Sequence, residues 1–124
     1  TEPWGYISPN FFLNMGVLIQ TELAPLELFK LLKNIERKMG RKDSSSIDYN
    51  DRIIDLDILL YNDLTMQEHN LIIPHAEIVN RKFSIVILKD LFLKSKIPGL
   101  NLTAEELLDL TKDNGIVTKV DEYL

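Results

Sequence analysis

Cysteine is missing from this chain of 124 residues. Disulfides and thiolate metal sites are therefore excluded, and we expect a protein of a reducing compartment such as the cytoplasm. The apolar stretches are also short, well below the roughly 18 residues that a membrane-spanning helix needs. The N-terminus lacks the basic-then-apolar pattern of a signal peptide, so we expect no contact with membranes.

An excess of positive charge is missing as well, since the formal net charge is -5. A general nucleic-acid binder needs a basic surface, so we expect no nucleic-acid partner. The basic residues do concentrate in residues 30–42, where a local positive field could attract a small polyanion such as a nucleotide. A solvated helix face explains this run equally well. Length and ordinary composition predict one globular domain over residues 1–124.

Glycine-rich phosphate loops are absent: the sequence contains neither a Walker loop nor a dinucleotide fingerprint. Side chains must therefore hold any phosphate. The candidates are Arg41, Arg52, His75 and Arg81, because guanidinium groups make bidentate contacts with phosphate and an imidazole can add a donor. Each of them alone is more often an ordinary surface residue. The sequence also lacks a Ser/His/Asp order and a metal-binding His pair, which disfavours hydrolase and zinc-enzyme functions.

In the first half of the chain, apolar and polar residues first alternate and then follow the period of an amphipathic helix. Residues 11–21 predict a strand with one apolar face. That face carries Leu13, Met15, Val17 and Ile19. The opposite face offers Phe12 and Asn14, an aromatic ring beside an amide, which suits a flat heterocycle although an ordinary surface Phe is the commoner case. An amphipathic helix is predicted from Ala24 to Met39, with Leu28, Leu31, Leu32, Ile35 and Met39 on its apolar stripe.

The second half begins after a polar loop. A strand is predicted over residues 52–61, followed by a turn at Asn62-Asp63 and a short strand at 64–67 that pairs back in a hairpin. We favour a helix for the segment that Pro74 opens, ending before Pro98. A capping box formed by Thr103 and Glu106 starts another short helix. Residues 116–120 form either a last strand or a loosely held tail.

Two carboxylates interrupt the predicted strand at residues 52–61. Asp55 and Asp57 share one face of it, with their Cα atoms about 6 to 7 Å apart. Two like charges at that distance repel each other unless a cation compensates. Magnesium takes one or two carboxylates together with substrate phosphates, which suits this pair. Two aspartates that merely face solvent or pair with lysine on a neighbouring strand are an equally good explanation of the motif taken alone.

Four stretches in a fixed order resemble one family. RIIDLDILLY is followed by LIIPHAEIVNRKF and preceded by FFLNMGV and IERKMGR. This set resembles the 6-hydroxymethyl-7,8-dihydropterin pyrophosphokinases of folate biosynthesis. The resemblance implies an α/β (α+β) ferredoxin-like sandwich, in which helices pack on an antiparallel sheet. It also implies an enzyme that moves a pyrophosphoryl group from ATP to the hydroxymethyl oxygen of a pterin, using two Mg²⁺ ions.

The resemblance implies roles for particular residues. Asp55 and Asp57 would hold the metal ions, and Arg41 and Arg52 would act in catalysis. The ATP side would comprise Glu36, Arg41, Arg52, Ile58, His75 and Arg81. The pterin pocket would comprise Thr1, Trp4, Phe12, Asn14 and Phe83.

The chain also departs from the family pattern. Lys33 stands where the family has Gln, and Tyr49 begins a loop that in the family reads Trp, then Gly-Pro-Arg. The family's first strand and helix have no counterpart in these residues. We therefore expect either a longer natural protein or a homo-oligomer formed through an exposed sheet edge. A catalytically inactive binding module, or a generic metal-dependent phosphoryl transferase, is an alternative to the pyrophosphokinase.

Overall fold

A computed structural model of the chain describes residues 5–7, 13–40 and 54–120. Its elements are, in order, β1 (Gly5–Ile7), β2 (Leu13–Asn14), α1 (Pro25–Lys38), β3 (Met66–Glu68), β4 (Leu71–Ile73), α2 (Lys82–Phe92), α3 (Ala104–Leu110) and β5 (Thr118–Val120). No helix within these ranges is long and apolar enough to cross a bilayer. Helices and antiparallel strands are thus mixed, as the sequence predicted.

Strand β1 is the middle strand of a three-stranded sheet. It pairs antiparallel with β2 on one side and with β5 on the other. Tyr6 lies opposite both Asn14 and Lys119 in this register. Within the predicted residues 116–120, Thr118–Val120 therefore form a strand rather than a loosely held tail.

The predicted strand at residues 11–21 is wrong in its length. Within its described part, only Leu13 and Asn14 belong to a sheet. The alternation holds only from Leu13 to Val17, where Asn14 and Gly16 are half-buried while Leu13, Met15 and Val17 are exposed. It ends at Leu18, which is exposed like both of its neighbours. Over residues 13–17 the apolar side chains are therefore exposed, whereas the opposite face is partly covered.

Helix α1 confirms the prediction over residues 24–39. Pro25 occupies its first turn, where the missing N–H costs nothing, and the carboxylate of Glu27 accepts the N–H of Ala24 at 2.9 Å. Gly40 follows with a φ of 138°, a conformation that favours glycine. Leu28 is buried, whereas Leu31 and Met39 are exposed, so the apolar stripe that faces the core is narrower than predicted.

The predicted strand at residues 52–61 is also wrong in its described part. Residues 54–61, here called the aspartate segment, take part in no sheet ladder. The turn at Asn62 and Asp63 is confirmed, but the chain after it does not pair back. Strand β3 pairs instead with β4, through a turn at residues 69 and 70.

Hydrogen bonds from outside the aspartate segment occupy part of its main chain. The main-chain N–H of Leu56 donates to the carboxylate of Glu36, and its carbonyl accepts from the ammonium of Lys33. The carbonyl of Leu59 accepts from the N–H of His75 at 2.9 Å. These three main-chain groups are therefore not available to a neighbouring strand.

Helix α2 begins later than predicted. Residues 76–80 form turns, in which the N–H of Ile78 donates to the His75 carbonyl at 3.3 Å and that of Arg81 to the Ile78 carbonyl at 3.3 Å. The helix starts at Lys82, whose N–H donates to the carboxylate of Asp113. This contact comes from a segment 31 residues further along the chain, which the local sequence does not reveal.

Helix α3 confirms the predicted capping box. The Oγ1 atom of Thr103 accepts the N–H of Glu106 at 3.1 Å, and the Glu106 carboxylate accepts the N–H of Thr103 at 2.9 Å. The helix packs against α2 through Ala104 and Leu107, which are both buried.

Two apolar clusters form the core. In the first, Leu28 of α1 packs with Ile58, Leu71 and Ile73. The second joins α2, α3 and the turns before α2. Its buried members are Ile78, Ile85, Leu88, Ile97, Ala104 and Leu107. The aspartate segment contacts both clusters, because Ile58 belongs to the first while Leu59 and Leu60 pack against the second.

Candidate functional site

The aspartate segment exposes both of its carboxylates. Ile54 and Leu56 are half-buried and Ile58 is buried, whereas Asp55 and Asp57 are exposed. This alternation is that of an extended chain, in which every second side chain points to the same side. Asp55 and Asp57 therefore emerge on one side, as the sequence predicted, while the aliphatic side chains between them anchor the segment to the core.

A salt bridge on α1 holds the main chain between the two aspartates. Glu36 is only 1% exposed, and its Oε2 accepts the N–H of Leu56 at 2.5 Å. The Nζ atom of Lys33 lies 3.3 Å from that carboxylate and donates to the Leu56 carbonyl at 3.4 Å. Both polar groups of the Leu56 main chain are thus bound by one pair of charged side chains.

Lys33 also contacts an aromatic ring on the same helix. Its Nζ atom lies 5.4 Å from the ring centroid of Phe29, one helical turn earlier, which is within the range of a cation–π contact. The side chain of Lys33 keeps 30% of its surface exposed, whereas that of Glu36 keeps none. A buried carboxylate is costly without a cation beside it, so the two residues function as a unit.

His75 lies beside the second aspartate. Its Nε2 atom is 4.0 Å from Oδ2 of Asp57. Its Nδ1 atom accepts the N–H of Glu77 at 3.1 Å, so in the neutral ring the proton belongs on Nε2. The imidazole thereby presents an N–H toward Asp57 and toward any anionic group that binds there.

The donor set around Asp55 and Asp57 suits a cation that brings its own remaining ligands. In the part of the chain that the structure describes, no group of three or more acidic, His or Cys residues could enclose a metal ion. Magnesium usually keeps several waters and binds through one or two carboxylates plus substrate phosphates. Two exposed carboxylates on a well-anchored segment fit that requirement.

The start of α2 carries two further predicted residues. Arg81 is exposed and precedes the helix, and Phe83 is half-buried in its first turn. Asn14 belongs to β2, which leads directly to Gly16. A Cβ atom at Gly16 would collide with Cγ2 of Ile87, which lies one turn after Phe83 on α2. This close approach brings the chain that follows Asn14 against the helix that carries Phe83.

The remaining predicted residues fall into two groups. The side chain of Ile58 is buried in the first core cluster, so only its main chain is available to a ligand. The others lie outside the described residues. These are Thr1, Trp4, Phe12, Arg41 and Arg52.

Sequence reasoning assigned no role in the site to Lys33 or Asp113. Lys33 has a signal in the sequence, because it stands three residues before Glu36 and shares a helix face with it. Asp113 has only a weak one, a turn-forming Asp-Asn-Gly sequence far from the residue whose N–H it accepts.

Comparisons with known proteins agree on one family. The family model described as 7,8-dihydro-6-hydroxymethylpterin-pyrophosphokinase (HPPK) matches residues 1–93. The 2-amino-4-hydroxy-6-hydroxymethyldihydropteridine pyrophosphokinase of Porphyromonas gingivalis is 39% identical over 106 residues, which cover 82% of this chain and 72% of that protein. The enzyme of the same name from Bacillus subtilis is 38% identical over 91 residues, covering 73% of this chain and 53% of that protein.

A plant protein gives a further match. The mitochondrial folate synthesis bifunctional protein of Arabidopsis thaliana is 48% identical over 80 residues. These residues cover 64% of this chain and 14% of the plant protein.

Proposed function

Because this chain belongs to the 7,8-dihydro-6-hydroxymethylpterin-pyrophosphokinase family, we propose that it transfers pyrophosphate from ATP to 6-hydroxymethyl-7,8-dihydropterin in folate biosynthesis. The named bacterial relatives are pyrophosphokinases, which favours the enzyme over an inactive binding module. We further propose that the mixed helices and antiparallel strands belong to a ferredoxin-like sandwich.

One observation carries the proposal: Asp55 and Asp57 are exposed together on a segment whose main chain is bound by Glu36 and Lys33. Carboxylates held in this way can bind magnesium without first having to be ordered, which lowers the cost of binding. We propose that Asp55 and Asp57 hold two Mg²⁺ ions together with the phosphates of ATP.

The reaction itself asks little covalent chemistry of the protein. The hydroxymethyl oxygen of the pterin attacks the β-phosphorus of ATP, the bond from that phosphorus to the oxygen shared with the α-phosphorus breaks, and AMP leaves. The hydroxyl proton passes to a solvent water as the new P–O bond forms. Magnesium bound at the site would neutralise charge on the phosphate oxygens, and the protein contributes by orienting the two substrates.

Other residues would support the two substrates. On the ATP side, His75 would donate its Nε2–H and Arg81 its guanidinium to phosphate oxygens, with Arg41 and Arg52 as the catalytic cations. Glu36 would act there through Leu56, and Ile58 through its main chain. We propose that Asn14 and Phe83 bind the pterin by hydrogen bonding and stacking, together with Thr1, Trp4 and Phe12.

The test is transfer activity in aspartate variants. Asp57→Asn and Asp55→Asn keep the size of the side chains but remove a negative charge that would hold the metal. We expect each to lower kcat by at least about a hundredfold, since a metal site supplies several kcal/mol of transition-state stabilisation. Asp63→Asn is the matched control, because Asp63 is also exposed but lies in the turn after the segment.

Calorimetry supplies a second readout. A non-hydrolysable ATP analogue should bind the wild-type protein with Mg²⁺ and much more weakly with EDTA, and binding of the pterin should follow. Wild-type activity in both aspartate variants would contradict the metal role. A wild-type protein that binds neither ligand would contradict the proposed function as a whole.

A further inference from the structure

Helix α2 starts without a capping side chain of its own. The first N–H groups of a helix have no partner within it, and the residue at its N-cap position, Arg81, has a side chain with no acceptor atom. The N–H of Lys82 donates instead to Oδ2 of Asp113, at 2.9 Å and 31 residues further along the chain. A carboxylate at this end of a helix also interacts favourably with the helix dipole.

Two further hydrogen bonds orient Asp113. Its Oδ1 atom accepts the N–H of Gly115 at 2.8 Å, and its own N–H donates to Oγ1 of Thr111 at 3.2 Å. The backbone N–H groups of Lys82 and Gly115 hold the pKa of Asp113 below its ordinary value. The carboxylate is therefore charged at neutral pH, when it caps the helix.

The chain after Asp113 also contacts β1 and α2. Strand β5 pairs with β1, and the Nζ atom of Lys119 lies 3.6 Å from the carboxylate of Asp90 on α2. Residues 111–120 thus contact α2 at its start and again near its end. The family model ends its match at residue 93, so Asp113 lies beyond the matched region.

We propose that Asp113 is a positioning residue for substrate binding. Lys82, whose N–H it accepts, stands between Arg81 and Phe83, so a frayed first turn would displace both side chains. The inference rests on the proposed function, in which Arg81 contacts the nucleotide and Phe83 contacts the pterin. It adds that residues 111–120, through the carboxylate of Asp113, raise the affinity of the protein for both substrates.

Two variants and a control test this role. Asp113→Ala removes both acceptor atoms, whereas Asp113→Asn keeps one acceptor oxygen. Asp109→Asn is the control, because it removes the same charge from an exposed position on α3. Calorimetry with a non-hydrolysable ATP analogue and Mg²⁺, and then with 6-hydroxymethyl-7,8-dihydropterin, gives Kd and stoichiometry at a temperature where circular dichroism shows each variant folded.

We expect Asp113→Ala to raise Kd for both ligands about fivefold at unchanged stoichiometry, because each ligand must then also re-form the first turn of α2. Asp113→Asn should fall between this variant and the wild type, and Asp109→Asn should match the wild type. A purely structural role would lower Tm and leave Kd unchanged, and that result overturns the inference alone.

Two other outcomes are also decisive. A wild-type protein that binds neither ligand overturns the proposed function and this inference with it. If Asp113→Ala does not fold, Asp113→Asn decides the question through Kd and through hydrogen exchange at the amide of Lys82. Faster exchange with a raised Kd supports the role, and an unchanged Kd overturns it.

Discussion

The main-chain N–H of Leu56 donates a hydrogen bond to the buried carboxylate of Glu36, which lies 20 residues earlier in the chain. Leu56 stands between Asp55 and Asp57, so this bond fixes the chain at the midpoint of the proposed metal site. Lys33 completes the arrangement by donating to the Leu56 carbonyl. Helix α1 thus controls where the two aspartates lie, without supplying a proposed metal ligand itself.

Replacing Glu36 should destabilise the fold. Glu36→Ala leaves the N–H of Leu56 without its acceptor and Lys33 without its carboxylate, so we expect a loss of about 3 kcal/mol in the free energy of unfolding. Glu36→Gln keeps an acceptor oxygen of the same size and should lose about 1 kcal/mol. Urea denaturation measures both, and equal stability of the two variants would contradict the role of this hydrogen bond.

Lys33 should stabilise the fold mainly through its positive charge. Lys33→Met keeps the length of the side chain but removes the ammonium beside Glu36. We expect it to lower the free energy of unfolding by about 1 to 3 kcal/mol, a range that allows for the partial exposure of Lys33. Lys33→Gln keeps amide donors and should cost less. Lys30→Met, at an exposed position on the same helix, is the matched control. A Lys33→Met variant as stable as this control would show that the salt bridge is dispensable.

A side chain at position 16, in place of Gly16, should destabilise the fold. A methyl group there would collide with Cγ2 of Ile87, which is itself only 4% exposed and has little room to move. We expect Gly16→Ala to destabilise the protein by about 1 to 3 kcal/mol, the usual cost of overpacking. In an Ile87→Ala background the same change should cost much less. A double-mutant cycle by thermal denaturation measures the difference, and additive costs would place the strain elsewhere.

Acid should weaken the start of α3. The backbone N–H of Thr103, which donates to the Glu106 carboxylate, holds the pKa of Glu106 below its ordinary value of 4.5. An acid whose pKa is lowered on folding stabilises the fold above its unfolded pKa, and this contribution is lost as the pH falls through the folded pKa. The free energy of unfolding should therefore decrease with falling pH below 4.5.

Glu106→Gln should show less of this pH dependence than the wild type. Glu105→Gln removes the neighbouring exposed carboxylate and serves as the control. Urea denaturation at a series of pH values compares the three proteins. Identical slopes for Glu106→Gln and the wild type would mean that the capping box makes no electrostatic contribution.

Local signals were enough to predict two of the helices. Pro25 and Gly40 bound α1, and Thr103 with Glu106 starts α3, because each acts on backbone groups within a few residues of itself. The common side of Asp55 and Asp57 was equally predictable, since alternation in an extended chain depends only on parity.

Long-range contacts account for what the sequence did not predict. Charged side chains of α1 bind the Leu56 main chain within the aspartate segment, and Asp113 accepts the N–H of Lys82 at the start of α2. A Lys and a Glu three residues apart on a helix normally form a solvent-exposed pair. Only the folded chain reveals that Glu36 points inward.

The aspartate segment contacts both apolar clusters, through Ile58 on one side and through Leu59 and Leu60 on the other. We therefore expect that neither cluster unfolds without displacing the segment that carries the two aspartates. Loss of activity on heating and thermal unfolding of the protein should therefore occur at the same temperature, so that residual turnover reports the fraction of folded protein.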